Sequence, residues 1–366
     1  MNLIVLLLIP LITSLGILLS RGIIQVRVIS LLGAILQLAA GLFLLAMYWS
    51  ERSSGNNAQM MFESSYTWFA PLHINFHIGV DGISIAMILL TAFVVLSGIL
   101  VSWKEETMSM EFFFLLIFLS LGAYGFFISL DLFTMFFFLE VAVIPKFLLI
   151  GIWGSGKKEY SAMKLALMLM GGSALVLVGL LGLYFNTNTG NGTHTFDLLQ
   201  IAAMNIPIEA QRIFFPFAFI GFGVFTALFP FHTWVPDGHS SAPTAASMFL
   251  AGISMKLGGY GCLRMATYLM PQAAQEYAWI IVLLAAHRGF QAYGGAESVG
   301  RVMGVPLEEE NEPQRHKEHK GKQERKKEKG SLVKGMGTWY QCIKSLLCVL
   351  CAFVVQSDSV GASLRT

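Results

Sequence analysis

Eight apolar runs, each long enough to cross a lipid bilayer, set the narrowest limit on the fold of this chain of 366 residues. A membrane-spanning helix needs about 20 predominantly apolar residues and satisfies its backbone hydrogen bonds internally. The predicted spans are residues 3–19, 23–48, 79–103, 111–130, 132–153, 162–185, 213–231 and 243–270. Hydrophobic residues form 55% of the chain and charged residues 13%, which excludes an ordinary soluble domain. We therefore predict an all-α, polytopic bundle of membrane helices.

The first apolar run and the loops between the spans indicate how the chain is oriented in the membrane. The first run has no basic residues before it and no small-residue cleavage pattern, so we expect a retained span rather than a signal peptide. The short loops that carry basic residues alternate along the chain, which predicts that the N-terminus lies outside. These loop residues are Arg21, Lys104, Lys157 and Lys158. The longer outer loops, 50–76 and 186–212, are predicted to be solvated connections.

The sequence changes character at its C-terminal end. A ninth apolar run begins at Tyr277 but meets His287 and Arg288 before it is long enough to cross. The residues that follow are highly charged and almost without periodic apolar positions, which is typical of disorder. Such a switch is what a reading-frame shift would produce, and a truncated paralogue is the alternative. We therefore predict three parts: N-terminal helices (1–110), a repeat with a broken helix (111–285) and a charged, disordered tail (286–366).

The stretch FTMFFFLEVAVIPKFLLIGIWG places Glu140 and Lys146 inside an otherwise apolar span. An ionisable group at the bilayer centre costs roughly 2.5–3.5 kcal/mol on insertion scales, so such residues usually face a protein interior or a water-filled path. Desolvation favours the neutral forms of a buried acid and a buried amine, so each can exchange a proton through water. We predict that Glu140 is functional. The structural alternative is an ion pair that locks two helices together.

Two further lysines lie in predicted spans. Lys256 lies midway along LAGISMKLGGYGCLRM, where glycines allow a neighbouring helix to approach closely, so we expect its amine to face the bundle interior. Lys164 lies just three residues inside its span. A role in proton transfer and snorkelling to the membrane interface are therefore equal alternatives for Lys164.

The stretch LFPFHTWVPDGHSSAPTAAS predicts a discontinuous seventh helix, because three prolines interrupt it at short intervals. Broken helices near the membrane midplane mark ion paths in transporters. His232 and His239 lie seven residues apart, which is not a dependable spacing for metal ligands. As neutral imidazoles they could relay protons, although simple hydrogen bonding is the favoured interpretation for each.

Four stretches together resemble the antiporter-like membrane subunits of respiratory complex I. They are IGVDGIS, FFFLEVAVIPKFLLIGIWG, KKEYSAMKLALMLMGGS and PFHTWVPDGHSSAPTAASMFLAGISMKLGGYGCLR, and the likeness covers most of residues 1–285. The resemblance implies a multi-pass subunit of NADH-quinone oxidoreductase in the bacterial inner membrane, where it translocates protons. Electron transfer from NADH to quinone would drive it from other subunits.

The resemblance also implies partners and cofactors. Adjacent antiporter-like chains of complex I and the lipid bilayer are the expected partners, and no nucleic acid is expected. NADH, FMN, iron–sulfur clusters and quinone would bind elsewhere in the complex. This chain offers no Gly-rich nucleotide fingerprint and no cysteine cluster, so we expect it to bind no cofactor or metal itself.

Residue roles follow from the same resemblance. Glu140 matches the essential glutamate of the family's fifth span, and Lys256 matches the lysine of the eighth span that passes protons toward the centre of the membrane. Lys164 matches a lysine of the sixth span. The family pairs its glutamate with a lysine on the broken seventh helix, and this sequence has Phe225 at that position. We hypothesise that Lys146 takes over the role of the missing amine.

Two points stand against a direct transfer of the family's mechanism. Six residues rotate by about 240° on a regular helix, so Glu140 and Lys146 diverge unless Pro145 kinks the chain between them. Family members also carry a second, inverted repeat, whereas the resemblance here is predicted to end near residue 285. Three rival interpretations therefore stay open: a subunit of a multi-subunit cation/proton antiporter, a truncated non-transporting fragment, and an assembly scaffold.

Overall fold

Apolar helices joined by short turns form the bundle, as the hydropathy of the sequence predicts. The computed structural model describes residues 2–56, 58–69, 74–187, 194–204 and 206–284. The first helices are α1 (Val5–Leu19), α2 (Ile23–Ser53), α3 (Gly82–Val101), α4 (Ser109–Ile128), α5 (Leu132–Val141), α6 (Val143–Trp153) and α7 (Lys158–Asn186). They are followed by α8 (Leu198–Ala203), α9 (Ile208–Phe225), α10 (Trp234–Ser241), α11 (Thr244–Phe249), α12 (Met255–Gly261) and α13 (Pro271–Glu276). Two π-helical segments, π1 (Leu250–Ser254) and π2 (Cys262–Thr267), flank α12.

Six of the eight predicted spans are confirmed as helices long and apolar enough to cross a membrane, within the described residues. They are α2, α3, α4, the α5–α6 pair, α7 and α9. The other two predicted spans differ from simple α-helices. α1 has 15 residues and is shorter than the usual span. The eighth is helical from Thr244 to Thr267, but α and π hydrogen bonding alternate along it.

A β-hairpin lies between α2 and α3, so the all-α prediction is wrong at this place. β1 (Met61–Phe69) pairs antiparallel with β2 (Ile74–Val80), with Tyr66 opposite Phe76. We had assigned these residues to a solvated loop and to the start of the third span. β1 is mostly exposed, whereas β2 is mostly buried against the bundle. Hydropathy cannot distinguish a short buried strand from the end of an apolar helix, because neither has a clear period.

The fifth span is divided at Ala142, where α5 ends and α6 begins. Pro145 has no N–H, and its ring crowds the carbonyl of Val141 four residues earlier. The Ala142 N–H is accordingly shared between the carbonyl oxygens of Phe138 at 3.3 Å and Leu139 at 3.2 Å. The helix is thus interrupted at Ala142, between Glu140 and Lys146.

The seventh helix is discontinuous, as predicted: α9 ends before a turn and α10 resumes at Trp234. Ala227 in this turn has a φ of 60°, in the left-handed region. The Leu228 N–H donates to the Gly223 carbonyl at 2.7 Å, and the Trp234 indole N–H donates to the Val224 carbonyl at 3.0 Å. These bonds satisfy backbone groups that the break leaves free, as a membrane interior requires. The prolines of this region are Pro230 in the break, Pro236 in the first turn of α10 and Pro243 before α11.

Candidate functional site

Glu140 lies in the last turn of α5, immediately before the break in the fifth span. The side chain is half-buried, and its Oε1 atom is buried without a hydrogen-bond partner among the described residues. Ser173 of α7 and Lys146 of α6 are the polar side chains that act on the carboxyl group. A buried oxygen without a partner is unusual in a folded protein, so this atom requires an explanation.

Lys146 lies in the first turn of α6 and is 1% exposed. Its Nζ atom is buried and has no hydrogen-bond partner within the described part of the chain. Lys146 and Glu140 act on each other electrostatically, although their charged atoms do not approach within the 4.0 Å of an ion pair. The break at Ala142 therefore brings the amine within electrostatic range of the carboxyl group without pairing them directly.

Lys164 is paired with a residue that the sequence did not single out. Its Nζ atom lies 2.6 Å from Oδ2 of Asp237, and the Tyr160 ring lies beneath the ammonium at 5.7 Å. The two charged side chains are 22% and 40% exposed, so the pair is partly solvated. This ion pair joins α7 to α10, the second half of the broken helix. Snorkelling and pairing are both consistent with this position.

Lys256 and His239 form a second polar group near the break. The Lys256 ammonium donates to the carbonyl of Ala251 in π1 at 2.5 Å. Nδ1 of His239 lies 2.8 Å from the hydroxyl of Ser247, and Lys256 acts on this imidazole electrostatically. π-helical turns inside α-helices occur frequently at functional sites, and two of them flank the helix that carries Lys256. Lys256 also borders an open apolar groove of about 280 Å³ between α3 and α12.

The remaining predicted residues lie apart from these groups. His232 lies in the break itself, and its Nδ1 atom is buried without a partner among the described residues. Phe225 ends α9 and is 1% exposed. It packs against Gly258 of α12, where a Cβ atom would lie 2.8 Å from that of Phe225. Within the described chain, no hydrogen bond or ion pair joins Glu140 and Lys146 to the groups around α10.

Two buried ionic groups were missed by sequence reasoning. Arg264 of π2 forms an ion pair with Asp81, whose side chain caps α3 by accepting from Ser84 N–H. Tyr260 lies between them, with its hydroxyl 2.8 Å from that of Ser84 and its ring under the guanidinium. The Asp–Gly–Ile–Ser pattern after β2 was an available signal, since Asp before a helix is a common N-cap. Its pairing with a residue far along the chain had no local signal.

The second buried ionic group that the sequence did not predict joins His77 of the hairpin to Asp197. Nδ1 of His77 in β2 lies 2.6 Å from Oδ2 of Asp197, and Nε2 lies 3.7 Å from Glu63. Asp131 caps α5, and its backbone pairs with that of Asp197. The hydrogen bond to Asp197 raises the pKa of His77, and Glu63 and Asp131 add to the effect against the cost of burial. Burial raises the pKa of Asp131 to about 6.

We expect the docking of the hairpin to weaken as pH rises. Because the pKa of His77 is raised in the folded cluster, its protonation stabilises docking fully below the ordinary value of 6.5. This contribution is lost as the pH rises through the raised pKa that His77 has in the folded protein. Amide hydrogen exchange of β1 and β2, corrected for its intrinsic pH dependence, should therefore accelerate above neutral pH. His77→Gln should remove this pH dependence, whereas Glu106→Gln in an exposed loop should preserve it. An unchanged pH profile in His77→Gln would refute the assignment.

The chain is similar to known membrane proteins in sequence and in fold. Residues 129–296 match the model of a transmembrane family described as NADH:quinone oxidoreductase/Mrp antiporter, and the match extends beyond the predicted limit at residue 285. Over residues 129–296, the chain is therefore similar in sequence to this transmembrane family. Subunit M of the NADH-quinone oxidoreductase of Rickettsia prowazekii is 37% identical over 232 residues, which cover 63% of this chain and 46% of the relative.

Chains of two solved membrane complexes share this fold. A chain of respiratory complex I from Thermus thermophilus superposes with a TM-score of 0.67 at 24% identity, covering 78% of this chain and 56% of that one. A chain of the Mrp complex from Dietzia superposes with a TM-score of 0.63 at 18% identity, covering 77% and 51%. The chain thus spans about half the length of the curated relatives it matches.

Proposed function

We propose that this chain is a membrane subunit of an NADH-quinone oxidoreductase and that it translocates protons across the bilayer. The observation that carries the proposal is the buried pair at the break of the fifth span. Glu140 has a carboxyl oxygen without a partner, and Lys146 has a buried amine without one, among the described residues. A span that retains two such costly groups serves ion or proton transfer by default.

The proposed mechanism is electrostatic. In this low-dielectric setting, the ionisation of Glu140 changes the field at Lys146, because the two groups already act on each other. A charge change in a neighbouring subunit would shift the proton affinity of Glu140, and Lys146 would respond. Lys256 would then relay a proton toward the centre of the membrane, with His239 as a titratable group on which it acts electrostatically. Lys164, Asp237 and His232 would border this second half of the path.

As such a subunit, the chain would function within a larger membrane complex. The family match supports assembly with other membrane subunits, and adjacent antiporter-like chains of complex I are the partners we propose. The bacterial relative supports a location in the bacterial inner membrane. NADH, FMN, iron–sulfur clusters and quinone would be bound by other subunits, so the role of this chain would be translocation within an enzyme rather than redox chemistry.

A direct test measures acidification by the purified complex in liposomes. We expect NADH and a quinone to drive proton transport, and we expect this chain to co-purify with hydrophilic iron–sulfur subunits. The second candidate function, a subunit of a cation/proton antiporter, is supported by the likeness to the Mrp complex. It predicts sodium transport driven by an imposed pH gradient, without NADH and without iron–sulfur subunits. A chain that inserts but supports neither activity would be a scaffold or a non-transporting fragment.

Lys256→Met should reduce NADH-driven pumping by at least about tenfold, a barrier increase of roughly 1.4 kcal/mol, because methionine fills the same space but cannot carry a proton. The complex should still assemble, since among the described residues the amine donates to a carbonyl of its own helical run. Pumping is measured as dye-reported acidification at a fixed rate of NADH oxidation. Lys104→Met in an exposed loop is the matched control. Normal pumping by Lys256→Met would remove the relay from the proposal.

A further inference from the structure

A small cavity among the first four helices carries polar atoms that the translocation proposal does not use. It is bordered by α1, α2, α3 and α4 and has a volume of about 10 Å³. Gln37 of α2 is 5% exposed and Tyr124 of α4 is fully buried, and both border this cavity. Oε1 of Gln37 and the hydroxyl of Tyr124 have no hydrogen-bond partner among the described residues.

The local sequence explains why Gln37 turns its oxygen into the cavity. Pro10 lies inside α1 and has no N–H, so the carbonyl of Leu6 four residues earlier lacks its helical donor. The amide Nε2 of Gln37 fills that role and donates to the Leu6 carbonyl at 3.1 Å. Because this bond fixes the amide group, Oε1 points away from α1. Gln37 faces the Tyr124 hydroxyl from there, but the two do not form a direct hydrogen bond within 3.5 Å.

Two further hydroxyl groups border the same cavity. Thr13 of α1 donates to the Ile9 carbonyl at 2.7 Å, and Ser120 of α4 donates to the Ile117 carbonyl at 2.6 Å. Their hydrogens are therefore engaged, whereas their oxygens can still accept. The cavity thus offers the Tyr124 hydroxyl as a free donor, together with several acceptors. Among the described residues, no charged side chain borders it.

We propose that this cavity binds a single water molecule that bridges Gln37 and Tyr124. The volume is about the smallest that accommodates one water, and the site supplies more than the two polar partners that a buried water needs. The water accepts from the Tyr124 hydroxyl and donates to Oε1 of Gln37 and to Thr13 or Ser120. The described residues of the cavity wall are uncharged, which favours a neutral ligand over an ion. The water connects the proline-interrupted α1, through Gln37, to α4.

High-resolution cryo-electron microscopy of the intact complex tests this site directly. We expect ordered density for one water between Oε1 of Gln37 and the Tyr124 hydroxyl. Tyr124→Phe should abolish that density, because the water loses the hydroxyl that donates to it. A wild-type map in which the two side chains contact each other directly, with no density between them, would overturn the proposal.

Thermal unfolding in detergent gives a second measurement that does not depend on pumping. Tyr124→Phe should lower the unfolding midpoint by about 2–4 °C, the shift expected for the loss of one modest buried interaction. Tyr184→Phe, at a tyrosine that does not border the cavity, should leave the midpoint unchanged. Gln37→Leu should be more destabilising, since it also removes the donor to Leu6. A Tyr124→Phe protein as stable as wild type, with the density retained, would contradict the bridging role.

Discussion

Glu140→Gln is expected to abolish or sharply reduce proton pumping while the complex still assembles. Glutamine preserves the size and most of the packing of the half-buried side chain, but it cannot ionise or carry a proton. Because the native Oε1 has no hydrogen-bond partner among the described residues, the substitution breaks no direct contact of that atom. The loss should therefore appear in translocation and not in folding. We expect pumping to fall at least about tenfold, which is roughly 1.4 kcal/mol of coupling.

The experiment compares acidification and NADH oxidation in the same liposomes. Glu159→Gln, at an exposed position in the first turn of α7, is the matched control and should pump normally. Assembly is followed by the amount of the chain recovered with the intact complex. Glu140→Gln complexes that pump at the wild-type ratio of protons to NADH would exclude the coupling role. A variant that fails to assemble would instead indicate a structural role for the carboxylate.

The sequence predicts the spans well because a bilayer requires of each one a sufficiently long apolar segment. Apolar length and internal hydrogen bonding determine a membrane helix, and both are local properties. The prolines likewise predict the breaks near Ala142 and in the seventh helix, since a missing N–H acts within one turn. The β-hairpin was missed because the burial of β2 depends on packing against the bundle, which no local pattern encodes.

The candidate site was only partly predictable for a similar reason. Glu140, Lys146, Lys164 and Lys256 stand out because charge is rare in apolar runs. Their partners do not stand out, because Asp237 lies in a polar stretch 73 residues after Lys164. The pairs of Arg264 with Asp81 and of His77 with Asp197 also join distant segments. Sequence reasoning therefore identifies groups that are costly alone and misses those that tertiary structure neutralises.

Lys146→Met should reduce proton pumping without lowering the stability of the protein. The ammonium is buried without a hydrogen-bond partner among the described residues, so its desolvation is uncompensated by direct contacts. Methionine has a similar shape and no charge, and replacing a buried charge in this way is often neutral or stabilising. Pumping should nevertheless fall at least about tenfold if Lys146 supplies the amine that Phe225 cannot. Lys157→Met, at an exposed position between α6 and α7, should change neither property.

A double variant that carries both Lys146→Met and Glu140→Gln tests whether the amine and the carboxyl group act as one unit. Lys146→Met alone leaves the Glu140 carboxylate without its nearest cation, and Glu140→Gln alone leaves the ammonium without its anion. If they are coupled, the double variant should be more stable than the sum of the single changes predicts, by about 0.5–3 kcal/mol in the free energy of unfolding. Its pumping should be no lower than that of either single variant, because each already removes the same step. Additive stabilities with normal pumping by Lys146→Met would show that Glu140 is balanced by another group, and the adjacent subunit would then be the place to find it.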